Sequence, residues 1–219
     1  MKKKQEKQHH TRGLMHYESV DEYTAYNLLL SLDSYTLLSS IRVFVFYIQM
    51  TALCAVFFDF DSTLSQPEYI QRFADWAIGD RMHVMNGMTE EEIVQNFGGM
   101  RRVQRIRDVL QSLHHRGTIL FIISLGYRSA FLRHLEVLGL LPFFPLPNLY
   151  GREEIKRYGT KAALLQSLMH TNHWRKESCL FVDDSEKHIA QAISVCRTLR
   201  VAGNGLSDEE WEGIHHMEC

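Results

Sequence analysis

The sequence predicts an α/β protein built on a doubly wound, mainly parallel sheet. Two observations carry that expectation. From about residue 52 onward, short apolar runs alternate with helical patterns. The runs are continuously apolar, which suits strands buried on both faces. A third observation bounds the size. The chain has 219 residues, 45% hydrophobic and 11% aromatic. That is enough for one sizeable core with a small appendage, and too apolar for disorder.

Charge and cysteine usage remove other classes. With 24 basic and 26 acidic residues the net charge is −2, which leaves no electrostatic footprint for nucleic acid. The four cysteines, at 54, 179, 196 and 219, form no CxxC pair and no zinc-finger spacing. Cys54 and Cys179 stand in apolar runs, where a thiol is expected to behave as a buried hydrophobe.

In chain order, residues 1–12 (MKKKQEKQHHTR) are basic and low in complexity, which reads as a solvated terminus. Residues 26–50 are apolar, but Asp33 and Arg42 interrupt them, and each is costly at a bilayer centre. No membrane span is expected, and the basic and apolar regions lie too far apart for a secretory signal. Residues 1–49 therefore read as an extension, disordered or an extra helix, outside the functional unit. The domain is expected over 50–219, in a cytoplasmic protein.

The first strand is expected at 53–60 (LCAVFFDF), followed by strands at 118–124, weakly at 147–150, at 179–184 (CLFVDD) and at 198–202. Between them, Thr89 and Glu92 have capping-box spacing, with Gly98 as the stop. Val103, Ile106, Leu110 and Leu113 share one helix face. Phe131, Leu132, Leu135 and Leu138 do the same after Ser129, with Gly139 as terminator. Thr160 caps a further helix through Leu164, Leu165 and Leu168. Another helix follows Asp184 and Ser185, and Ser207 with Glu210 repeats the capping box. The long interval after the first strand holds a small helical insertion at about 65–100. Tyr69, Phe73, Trp76 and Ala77 suggest a short helix there. It reads equally as a minimal lid or as an ordinary helical connection.

In an open α/β sheet, ligands bind beyond the carboxyl ends of the strands. Asp59 and Asp61 end the first strand, Ser124 and Leu125 the second, and Asp183 and Asp184 the fourth. Lys161 opens the helix before the fourth. Four carboxylates in one crevice repel one another unless compensated. A hard divalent cation such as Mg²⁺, sharing its sphere with phosphate oxygens, resolves this. Lys161, the Ser124 hydroxyl and the backbone N–H groups after Asp59 and Ser124 suit a phosphoryl group. Asp59, at the strand tip, is the natural nucleophile. Asp61, two residues on, suits an acid and base. Arg128 is a candidate for a substrate anion.

The set FFDFDSTL, FIIS, TKAALL and LFVDDS, in that order, resembles the four motifs of the haloacid dehalogenase-like hydrolases. The resemblance covers about 53–203 and implies a Rossmann-like core. It also implies Asp59 as nucleophile and Asp61 as general acid/base, with Ser124 and Lys161 on the phosphoryl group. Asp183 and Asp184 would position Mg²⁺ with Asp59 and the Asp61 carbonyl. The second carboxylate, Asp61, points within the family to phosphatases rather than dehalogenases. The Asp-Asp form of the last motif looks like the small, minimally capped magnesium-dependent phosphatases. Resemblance to phosphoserine phosphatases is weaker. An open crevice admits a phosphorylated small molecule or a phosphoprotein.

Two alternatives use the same kind of fold. A phospho-accepting receiver domain carries its acidic pair after strand one, the reverse of the order here. A catalytically silent scaffold would have lost motif positions, and here all are filled. The basic run Arg101, Arg102, Arg105 and Arg107 reads as a solvated helix face. His114-His115 and His215-His216 read as surface residues near helix ends.

Overall fold

The computed structural model describes residues 53–67, 83–85 and 87–217. The readings made for residues 1–52, and for the short helix around Tyr69–Ala77, fall outside them. The chain divides after Phe46, and every described residue belongs to the second unit, Tyr47–Cys219.

Five strands make one sheet: β1 Ala55–Phe58, β2 Ile119–Ile123, β3 Leu149–Tyr150, β4 Cys179–Asp183 and β5 Arg197–Arg200. Their order is β3-β2-β1-β4-β5, and every pairing is parallel. The expected doubly wound α/β architecture is present. The unbroken apolarity of the strands now has its physical reason. Val56, Phe58, Leu120, Ile122, Leu180 and Val182 enter one core, while Ala55, Phe57, Phe121, Ile123, Cys179 and Phe181 enter the other. A period of two thus fills both faces.

The first core is closed by α1 Glu90–Asn96, α2 Met100–His115, α3 Arg128–Val137 and α7 Asp208–His215. Trp211 of α7 stacks at 5.6 Å on Phe58. The second is closed by α4 Arg152–Tyr158, α5 Lys161–Thr171 and α6 Glu186–Ala192. Each fully buried Leu or Phe contributes about 1.5–3 kcal/mol, so both layers hold the sheet. Among the described residues, no helix is long and apolar enough to cross a membrane.

Helix starts follow their capping residues. The Thr89 hydroxyl accepts from Glu92 N–H at 3.2 Å, and Thr89 N–H donates to Glu92 Oε2 at 2.8 Å. Ser207 and Glu210 repeat this at 3.2 and 2.8 Å. Thr160 caps α5 through Ala163 N–H at 3.0 Å. Helix α4 was not expected. It buries only Ile155, so it has no apolar stripe to read, and its first turn is closed by Gly151 N–H on the Glu154 carboxylate at 2.9 Å.

Two expectations need correction. Cys54 is only half-buried, whereas Cys179 is buried; Cys54 sits at the outer end of the sheet, where its backbone still pairs with Ser178 and Ile119 at 2.7 and 2.9 Å. The basic run on α2 is not a solvated face. The Arg102 guanidinium donates to the carbonyls of Leu64 (2.7 Å), Phe97 (3.1 Å) and Leu206 (3.2 Å). Arg107 donates to Leu138 O at 2.6 Å, and Arg105 pairs with Glu212. The ends of neighbouring helices and turns present carbonyls around α2, and Arg102 and Arg107 satisfy them. Of the four, Arg101 alone is fully exposed.

Candidate active site

Parallel register brings the chemistry together. Phe58 lies opposite Ile122 on one side and Val182 on the other. One step further, Asp59 is level with Asp183, and its N–H donates to Val182 O at 2.8 Å. Beyond Asp59 the chain makes a tight turn over Phe60–Leu64, in which Ser62 takes φ +57. Ser65 N–H closes it on Phe60 O at 2.9 Å. Phe60 is buried against Phe97, Phe131 and His134, each within 5.7 Å. That anchor fixes the backbone between Asp59 and Asp61.

Lys161, the first residue of α5, is buried and reaches across the sheet end. Its ammonium donates to Asp59 Oδ1 at 2.6 Å and to Asp183 Oδ2 at 2.7 Å. The other Asp183 oxygen accepts Ser185 N–H at 2.8 Å. His188 Nδ1, on α6, stands 3.3 Å from both Asp183 oxygens. From β2, the Ser124 hydroxyl donates to Asp61 Oδ2 at 3.2 Å and accepts Gly126 N–H at 3.0 Å. Asp59 and Asp183 are buried, while Asp61 and Asp184 are half-buried.

The electrostatics follow from crowding. Burial pushes the Asp59 carboxyl up to about 8. Lys161 opposes the shift, and Asp183 and Asp61 reinforce it. Burial likewise raises Asp61 to about 6, against Lys161 and the Ser124 hydroxyl. Burial and the neighbouring Asp183 raise Asp184. Asp183 goes the other way. Burial disfavours its charge, but the His188 hydrogen bond, the Lys161 ammonium and Ser185 N–H outweigh that. For Lys161, burial is overcome by Asp59 and Asp183, and the ammonium is held above its ordinary value. Four carboxylates thus face one ammonium. Asp59, Asp183 and Asp184 each offer an oxygen within 4.8 Å of the others. An oxygen-only donor set with excess negative charge fits a hard divalent cation.

Most residues singled out in the sequence meet here: Asp59, Asp61, Ser124, Lys161, Asp183 and Asp184. Leu125 follows directly, with its side chain exposed. Arg128 does not join them. Its guanidinium donates to Leu146 O at 2.6 Å and lies 3.6 Å from Glu154. Two residues escaped sequence reasoning. His188 carried a faint signal, a histidine in the helix opening after Asp183-Asp184. Gly126 carried one in the Ser-Leu-Gly turn. A Cβ there would lie 3.1 Å from Asp61 Oδ2 and 3.3 Å from Ser124 Oγ, so a larger residue would press the carboxylate and hydroxyl out of their present positions.

The family model described as haloacid dehalogenase-like hydrolase matches residues 67–195. That stretch contains Ser124, Lys161, Asp183 and Asp184 and begins just after Asp59 and Asp61. Among solved structures, a haloacid dehalogenase-like family hydrolase from Streptococcus pneumoniae is 17% identical with a TM-score of 0.45, over 75% of this chain and 91% of that one. A HAD family hydrolase from Deinococcus radiodurans, with bound phosphate and sodium, is 16% identical with a TM-score of 0.46, over 74% and 88%. A HAD family enzyme from Bacteroides thetaiotaomicron, an alanine variant in complex with magnesium and inorganic phosphate, is 12% identical with a TM-score of 0.40, over 68% and 94%. No curated protein matches the chain.

Proposed function

Because the chain belongs to the haloacid dehalogenase-like hydrolases, we propose that it is a Mg²⁺-dependent phosphatase of phosphate monoesters. The supporting observation is the Lys161 ammonium held between Asp59 and Asp183 at 2.6 and 2.7 Å. A nucleophilic carboxylate, a phosphate-binding cation and a metal-binding carboxylate then share one point at the sheet end.

Asp59 attacks phosphorus with its carboxylate. The Asp59–phosphorus bond forms as the bond to the substrate's alcohol oxygen breaks. Asp61 gives that oxygen a proton, and its value of about 6 keeps a protonated fraction near neutrality. Asp61 then takes a proton from water, whose oxygen attacks phosphorus and frees Asp59 and inorganic phosphate. Lys161, the Ser124 hydroxyl and Leu125 N–H bind the phosphoryl oxygens as charge develops. Asp59, Asp183 and Asp184, with the Asp61 carbonyl, would hold Mg²⁺, which supplies Lewis-acid polarisation of a phosphoryl oxygen and offsets the crowded charge. The raised Asp59 supports that need, since an added positive charge favours its ionised, nucleophilic form.

Arg128 has no part in this reading, because the Leu146 carbonyl holds its guanidinium. Family membership sets the receiver alternative aside. The hydrolase unit is taken as 50–219, with 65–100 as a minimal cap over an open crevice that admits a phosphorylated metabolite or a phosphoprotein. The test is hydrolysis of p-nitrophenyl phosphate, lost in EDTA and restored by Mg²⁺. No turnover of this ester, phosphorylated metabolites or phosphopeptides, with Mg²⁺ still bound, would favour the silent scaffold.

A further inference from the structure

Helix α7 ends in a second group of donors, unrelated to the sheet-end carboxylates. Glu212, His215 and His216 each present one ligand atom, all within 4.8 Å of one another. Glu212 Oε1 lies 2.8 Å from His216 Nε2 and 3.9 Å from His215 Nδ1. Donors on a tetrahedral ion with bonds near 2.0–2.1 Å stand about 3.3 Å apart. The two distances bracket that value, so small rotations of the imidazoles would seat an ion.

The outer contacts are those a metal site needs. The other nitrogen of His215, Nε2, lies 2.8 Å from Ser112 Oγ on α2. A proton on Nε2 donated to that hydroxyl leaves Nδ1 with its lone pair toward Glu212, the tautomer a ligand requires. The other oxygen of Glu212 is held by the Arg105 guanidinium, also on α2. Two of the three ligands are therefore oriented from a neighbouring helix, and Oε1 is turned to both rings.

We propose that Glu212, His215 and His216 form a metal site at the end of α7 for a borderline divalent ion of the zinc class. One carboxylate and two imidazoles select Zn²⁺, Ni²⁺ or Cu²⁺ over Mg²⁺, which prefers an all-oxygen sphere. Water completes the coordination. The site is separate from the proposed phosphatase centre in residues and in ion class, and it stands whether or not that function holds.

The test is calorimetric titration of the full chain with Zn²⁺ in excess Mg²⁺, beside electron paramagnetic resonance with Cu²⁺. The chain holds twelve histidines, so variants make the assignment. Wild type is expected to show one equivalent that is lost, or weakened about tenfold or more, in His216→Gln and in His215→Gln with His216→Gln. Ser112→Ala, which removes only the outer contact, should weaken it about tenfold. Nitrogen hyperfine structure on Cu²⁺ should be present in wild type and diminished in the double variant. His216 is exposed, so the single variant keeps its fold. A His216→Gln protein with a native circular dichroism spectrum and wild-type Zn²⁺ affinity would overturn the proposal.

Discussion

Lys161 is one buried cation shared between two buried carboxyl groups, and its removal has a definite sign. Breaking a buried ion pair from one side costs about 3–5 kcal/mol, because charge is left without compensation. Lys161→Met should therefore lower the urea midpoint at pH 7 without Mg²⁺ and abolish turnover. An unchanged midpoint would contradict the geometry of the bridge. Asp59→Asn should act oppositely on stability. Asp59 is raised from 3.8 to about 8, so the folded state binds more protons than the unfolded chain between those values. Stability then falls as pH rises through that window. The amide removes the penalty, so the metal-free variant should melt higher than wild type at pH 7 while losing all phosphatase activity. Retained turnover would sink the nucleophile assignment. Asp61→Asn should slow turnover about 10²–10⁴-fold and accumulate phospho-enzyme, read by acid quench with labelled substrate. Asp59 and Asp61 were legible because a continuous apolar run ends there in polar side chains, and Lys161 because it opens a capped helix between two such runs. His188 and Gly126 were not, since their contributions depend on close approaches across the turn.

Helices α1 and α3 are joined by a buried polar contact that gives the fold a pH response. Asn96 Nδ2 lies 3.1 Å from His134 Nε2. An amide nitrogen only donates, so Nε2 accepts, and Nδ1–H donates to Ala130 O at 2.8 Å. Burial pushes His134 from 6.5 to about 4, Arg133 adds to the shift, and the Ala130 bond opposes it. Between about 4 and 6.5 the unfolded chain binds the extra proton, so stability drops as pH falls through that window, by up to about 3 kcal/mol. The raised Asp59 and Asp61 gain stability over the same range in both proteins, so the effect is read as a difference: from pH 7 to pH 5, urea unfolding should show wild type losing stability relative to His134→Gln. An unchanged difference between the two proteins would refute it. At this scale sequence reading was uneven. Thr89, Thr160 and Ser207 announced their helices because a cap is a local device. Helix α4 has one buried apolar side chain and a glycine cap, so only its packing against β3 and α5 reveals it. The arginines of α2 were misread because their acceptors lie up to 107 residues away in sequence.

For the whole molecule, the alternating strand–helix pattern announced a parallel sheet. The layering on each face needed coordinates, since a continuous apolar run does not say which residue faces which core. Both described cores and the carboxylate cluster belong to the compact unit Tyr47–Cys219. A chain of residues 50–219 should therefore fold and keep its kcat/KM for p-nitrophenyl phosphate within about twofold. Insoluble or inactive product, with an active full chain, would show that the first 49 residues belong to the unit. One consequence of the strand order remains. β1 is paired on both edges, with β2 and with β4. Each of its amides donates to β2 or to β4, and each of those strands is covered by a further strand, so exchange with solvent deuterium needs an opening close to complete unfolding. Breathing of the outlying strands β3 and β5 therefore passes by the Asp59 backbone, and the proposed nucleophile is tethered to the slowest-opening part of the protein.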